Sequence, residues 1–158
     1  NKVGVRALRF NLQRGGSAKL SELDRLARRV YDIAGWHCEL YVDAAELAPL
    51  FSSLVNLPAV SIDHLGLSKA GLPILLQLAE QGVRIKATGF GRVDFDIAIA
   101  LRNLHSANPE ALMFGSDLPS TRAPRPFLHS DIAILIDSVG EAQASAVLHA
   151  NAALFYRV

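Results

Sequence analysis

The chain has 158 residues, 51% of them hydrophobic, and 16 Lys+Arg against 15 Asp+Glu give a formal net charge of +1. That is enough apolar material for a sizeable core, and too little charge excess for the field that nucleic acid or an anionic membrane requires. The single cysteine, Cys38, has no partner in the chain, so a disulfide framework and a cysteine zinc site are excluded and a cytoplasmic location is expected.

In chain order, five β-rich runs alternate with helical patterns, as in repeated β-α units around a parallel sheet. The first strand, residues 6–12, sets Leu8, Phe10 and Leu12 against Arg9 and Asn11. A helix follows over 21–34, where Arg25, Arg28 and Arg29 mix with Glu22 and Asp24 at helical spacing and read as a solvated face. Strand 36–43 alternates Trp36, Cys38, Leu40 and Val42 with His37, Glu39, Tyr41 and Asp43. His37 and Glu39, at the start of that strand, read as buried structural partners. Helix 45–55, strand 60–64, helix 70–81, strand 83–89, helix 95–106 and strand 112–117 complete the alternation. Gly35, Pro58 and Gly82 supply the stops between helices and strands. After the last strand come a Pro-rich loop, 118–127, and two helices, 131–139 and 141–156. No run approaches the roughly eighteen apolar residues of a membrane span, and no signal-like segment opens the chain.

Two strands end on groups suited to catalysis. The run ending at Asp117 breaks into the Pro-rich loop, and the run from Pro58 to Gly66 ends on His64. If the strands are parallel, an imidazole and a carboxylate leave the same sheet edge. The polar sides of the strands are too charged for a dry core, and an open sheet covered on both faces would have to bury them at a cost of several kcal/mol each unless paired. A barrel offers a wet mouth instead, gathering Arg9, Asn11, Tyr41, Asp43, His64, Lys86, Thr88, Ser116 and Asp117. Asp63, next to His64, should then face the helices. His105, His129 and His149 fall on helices or a loop and are expected at the surface. A doubly wound, flavodoxin-like binding module also suits five strands. It would need an anion-cradling turn after the first strand, where Gln13 to Ser17 is a weak candidate.

The segments beginning at Gly4, Gly35, Ile62, Ile85, Phe114 and Asn151, among them Ile-Asp-His-Leu-Gly, Ile-Lys-Ala-Thr-Gly-Phe-Gly-Arg and Phe-Gly-Ser-Asp-Leu-Pro, stand in a characteristic order. In these motifs the chain resembles the amidohydrolase-2 group of TIM-barrel hydrolases, most of all its 2-pyrone-4,6-dicarboxylate lactonase-like members. A complete barrel runs to about 250 residues. The resemblance therefore implies an α/β fold that is a partial TIM (β/α)8 barrel, strands four to eight, the C-terminal portion of one domain. The chain begins with Asn1 and lacks the His-x-His pair of the family's first strand, so it is expected to be a fragment needing its missing N-terminal part or a partner chain.

The resemblance also implies roles. Asp117 matches the catalytic carboxylate of the eighth strand and His64 the histidine of the sixth. Arg9 and Arg92 match arginines that hold substrate carboxylates, Lys86 is the basic residue of the seventh strand, and Tyr41 stands where metal-dependent relatives carry a histidine ligand. The family's usual Trp-Pro-His is replaced by Leu118-Pro119-Ser120, and Arg122 occupies the loop position that ordinarily supplies a polar group. The expected reaction is the opening of a lactone or related small carboxylated compound by water that Asp117 deprotonates, with no cofactor. The alternative is a metal-dependent hydrolase or decarboxylase holding one divalent ion such as zinc on His64 and Asp117.

Overall fold

The computed structural model describes residues 2–158. Its strands are β1 (Ala7–Asn11), β2 (His37–Tyr41), β3 (Val60–Ile62), β4 (Arg84–Ala87) and β5 (Leu112–Phe114). They lie side by side in chain order, each parallel to the next. A doubly wound sheet breaks such an order at its switch point. The unbroken order is that of a barrel wall, so the flavodoxin-like alternative falls and the fold is a partial (β/α)8 barrel.

The helices are α1 (Leu23–Ala34), α2 (Phe51–Val55), α3 (Leu72–Glu80), α4 (Ile97–Ala107), α5 (Ser130–Val139), α6 (Glu141–Ser145) and α7 (Asn151–Tyr156). None of the described helices is long and apolar enough to cross a membrane. Period-two alternation divides the sheet cleanly. Phe10, Leu40, Ile62, Ile85 and Leu112 stand in register across all five strands, and each is 0% exposed. Burial of each contributes about 2 kcal/mol relative to leaving it in water. On the other face Arg9 stands beside Glu39 and Glu39 beside Ser61.

Local chemistry sets the element ends. Gly35 takes φ 65 after α1 and donates its N–H to the Tyr31 and Val30 carbonyls, a left-handed stop that glycine adopts without strain. Asp96 caps α4 by accepting from the Ile99 N–H. The arginines of α1 lie on a solvated face, with Arg25 paired to Glu22 and Arg28 to Asp24. Cys38 is buried, which pushes its thiol up to about 12.

Four expectations are corrected. The strands expected to reach His64 and Asp117 stop at Ile62 and Phe114, because His64 (φ 51) and Asp117 (φ 59) enter the left-handed region. Asp63 does not face the helices: it bonds Arg9 and Lys86, both on the inner face, and the left-handed turn beginning at His64 returns the imidazole to that same side. His105 is half-buried with its Nε2 enclosed and unpaired, whereas His129 and His149 are exposed as expected. The last helical stretch, expected as one α-helix, contains a π-helical segment, Ala146–Ala150. Just beyond it, the Asn151 amide donates to the Pro109 and Leu112 carbonyls and ties the segment to β5.

Candidate active site

A cavity of about 250 Å³ opens beyond the C-terminal ends of the strands, walled by Arg9, Asn11, Arg14, Tyr41, His64, Arg92 and the Asp117–Thr121 loop. In a barrel this is the rim on which functional groups gather. His64 and Asp117 approach each other there, with Nε2 3.9 Å from Oδ1. Arg92 donates its Nε–H to the other carboxylate oxygen at 2.7 Å and a terminal N–H to the Thr121 carbonyl at 3.2 Å. His64 Nδ1 meets the Thr88 hydroxyl at 2.8 Å.

Burial pushes the His64 pKa down to about 4; Asp117 pulls it upward, but Arg92, Arg9 and Lys86 oppose the extra charge. The ring is therefore neutral near pH 7. It can offer one N–H and one lone pair, and cannot act as a cation. Tyr41 meets the His64 ring edge-on, 5.3 Å between centroids at 88°, and its own ring lies beneath the Arg9 and Arg14 guanidiniums at 5.4 and 5.8 Å. Three arginines against one carboxylate give the cavity a cationic character suited to an anionic ligand.

Backbone geometry brings these groups together. His64, Leu65, Gly66 and Leu67 all have positive φ, and so do Gly89 and Asp117. Non-glycine residues in this region store strain, and a cluster of them at one rim is characteristic of functional sites. Gly89 is needed for space as well. A Cβ there would lie 2.7 Å from His64 Nδ1 and 2.9 Å from Arg92 Cδ.

Of the residues singled out in the sequence, Arg9, Asn11, Tyr41, His64, Arg92 and Asp117 share this cavity. Lys86 does not line it; its ammonium turns below the rim to Glu39 and to Asp63. Arg122 is exposed and also absent from the cavity wall. Asp43 caps the 3₁₀ turn after β2, accepting from the Ala45 N–H and the Ser68 hydroxyl. Glu39 pairs with Arg9 and Lys86, while His37 packs on Phe155 and Tyr156 with both ring nitrogens unpaired. Sequence reasoning placed Arg14 only in the weak anion-cradling turn of the flavodoxin-like alternative, not at the barrel mouth where it lies, and it missed Gly89 as a spacer. The Gly15-Gly16 turn beside Arg14 was the available signal for the first.

For a divalent ion the chain offers His64 Nε2 and Asp117 Oδ1. Among the described residues no three His, Cys, Asp or Glu side chains converge on one point. A catalytic zinc takes three protein ligands, and here Arg92 already holds the second Asp117 oxygen. The residues of this chain do not by themselves fit a metal ion.

A singly wound parallel sheet with its polar cavity at the C-terminal rim is the architecture of part of a (β/α)8 barrel. The sequence profile of the amidohydrolase family matches residues 1–158, and the chain belongs to that family. Among solved structures it is similar to the apo crystal structure of Agrobacterium tumefaciens ATU3138, with 20% identity, TM-score 0.74, and 95% of this chain covering 60% of that one. It is also similar to amidohydrolase 2 from Bifidobacterium longum subsp. infantis, with 25% identity, TM-score 0.64, and 83% of this chain covering 53% of that one. The chain thus spans between half and two thirds of the length of these relatives. No curated protein matches it.

Proposed function

We propose that the chain is the C-terminal part of a cytoplasmic hydrolase that opens a lactone, or a related small carboxylated cyclic ester, in the manner of the pyrone dicarboxylate lactonase-like group. The observation that carries this reading is the orientation of Asp117, held by Arg92 at 2.7 Å and facing neutral His64 at 3.9 Å, in a cavity also walled by Arg9 and Arg14. A guanidinium forks onto both oxygens of a carboxylate and stays charged, so the two arginines suit an acidic ring substrate.

In this mechanism the water oxygen bonds to the carbonyl carbon while Asp117 takes one water proton. The carbonyl electrons move onto its oxygen. With the Thr88 hydroxyl donating to Nδ1, the His64 ring proton stays on Nε2, and this N–H gives a hydrogen bond to the developing oxyanion without transferring its proton. Collapse re-forms the carbonyl and breaks the ring C–O bond. Asp117 returns its proton to the departing oxygen, and the product is an open-chain hydroxy acid. Water and lactone balance, and no step requires a positively charged imidazole.

The rest of the barrel is proposed to come from a preceding segment or a partner chain. An apolar groove of about 500 Å³ beside β1, lined by Ala7, Leu148, Ala152, Ala153 and Tyr156, supports this. The test is turnover of a 2-pyrone-4,6-dicarboxylate by the full-length protein with and without chelator. Hydrolysis that survives chelation supports the route above. Loss that zinc restores favours the metal-dependent reading, and failure to open any carboxylated lactone overturns the proposal.

A further inference from the structure

Below the cavity four side chains, from β1, β2, the residue after β3, and β4, close a ring of charge. Arg9 places Nε 3.3 Å from Glu39 Oε1 and a terminal nitrogen on Asp63 Oδ2. Lys86 takes the remaining oxygens, Glu39 Oε2 and, at 3.1 Å, Asp63 Oδ1. Each carboxylate therefore has one oxygen on Arg9 and the other on Lys86. The ring is graded from inside to outside: the Asp63 side chain is 3% exposed, Glu39 11%, Lys86 18% and Arg9 49%. Of the four, only Arg9 lines the cavity.

We infer that Lys86, Glu39 and Asp63 are positioning residues that act on an anionic ligand through Arg9. The inference rests on the cavity being a carboxylate site, as proposed above, and gives Lys86 a role other than direct contact with substrate. A guanidinium has five N–H donors in a rigid fork. The ring engages the Nε and one terminal nitrogen, which locks the plane over Tyr41 and leaves the outer edge free for a ligand. Lys86 supplies the second positive charge. Without it, two buried carboxylates would share one arginine, with an excess negative charge beneath the anion site and Arg9 drawn inward as sole counter-ion.

The experiment uses the full-length enzyme and isophthalate, a planar dicarboxylate that cannot be hydrolysed, as the probe. Calorimetry measures its affinity, and the ¹⁵N resonance of the Arg9 Nε–H group, assigned with Arg9→Lys, reports the order of that side chain. Lys86→Met is expected to weaken isophthalate binding about tenfold, the scale of coupling between neighbours in one charge network, and to broaden the Arg9 line. Under turnover it should raise KM more than it lowers kcat. Lys86→Arg should restore most of the affinity, and Lys86→Met should add little once Arg9→Met is present, because the two act as one unit. If Lys86→Met folds poorly, Lys86→Gln keeps hydrogen bonds to both carboxylates without the charge, and the same criteria apply. An unchanged Arg9 line, or a loss that adds in full to that of Arg9→Met, overturns the inference. Absence of isophthalate binding by the wild type overturns instead the carboxylate reading of the cavity, and the Arg9 line still decides whether the ring orders that residue.

Discussion

Arg92 bonds the Asp117 carboxylate and the Thr121 carbonyl at once, so a single guanidinium fixes both the acidic group and the loop that follows it. Its side chain is only 10% exposed, and the contact replaces water at one face of the carboxylate. Lysine carries the charge but not the fork, and cannot span both acceptors. Arg92→Lys should therefore lower kcat by at least about tenfold, while Asp117→Asn, which removes the proposed proton acceptor, should cost roughly 10²- to 10⁴-fold. Steady-state kinetics on a carboxylated lactone measure both. A KM effect of Arg92→Lys with kcat preserved would point to a substrate clamp.

Gly89 separates His64 from Arg92. An added methyl would stand 2.7 Å from His64 Nδ1, and the φ of +61 strains any other residue. Gly89→Ala should destabilise the fold by about 1–3 kcal/mol and cost more activity than stability, because the displaced atoms belong to the site. Denaturant unfolding compared with kcat on the same preparation tests the claim. Equal activity in the variant would show that His64 and Arg92 have room to spare.

His37 is 2% exposed, packs against the Phe155 and Tyr156 rings, and has no hydrogen-bond partner on either nitrogen. Burial lowers its pKa from 6.5 to about 4, the pull of Glu39 notwithstanding. Between those values the unfolded chain binds the proton and the folded chain does not, so stability is complete above pH 6.5 and falls as pH drops toward 4. The shift is worth about 3 kcal/mol. His37→Phe removes this dependence. Its denaturant midpoint should lose less between pH 7 and pH 4.5 than the wild-type midpoint does, and a parallel loss would contradict the assignment.

Asp131, at the start of α5, accepts both arms of Arg125 at 2.7 and 2.9 Å and the Leu128 N–H at 3.0 Å. It pins the far end of the loop that begins at Asp117. Burial raises its pKa, but Arg125 and the Leu128 N–H outweigh it and hold the carboxyl below its ordinary value. Its contribution is therefore present at neutral pH and lost as the solution is acidified through the carboxylate range. Asp131→Ala should cost about 1–3 kcal/mol, since a buried carboxylate is lost with its bonds to both Arg125 arms and the Leu128 N–H, while the partly exposed Arg125 keeps the Pro126 carbonyl. It should also reduce kcat by loosening the loop. Unfolding curves at pH 7 and pH 3 check the sign: the gap between variant and wild type should shrink in acid.

Most of the fold was legible because strand and helix periods differ, and the register row from Phe10 to Leu112 obeys the period-two rule without exception. The rule failed where a strand ends. It sent Asp63 toward the helices because it assumes extended backbone through His64, and a positive φ there reverses the next side chain. It set Lys86 among the mouth residues because periodicity gives a face, not a depth. Arg14 was not placed at the mouth for a different reason: a Gly-rich turn carries no period at all.

By itself the sequence determined the alternation of strands and helices, the apolar row of each strand, and the presence of His64 and Asp117 just beyond strand ends, because these follow from local sterics and the burial of apolar side chains. Tertiary structure decided which charges neutralise one another. It bound Arg9, Glu39, Asp63 and Lys86 into one ring, gave Arg92 to Asp117, and left His64 uncharged. Those outcomes depend on distances between residues far apart in the chain and on exclusion of water, and neither quantity exists until the strands are side by side.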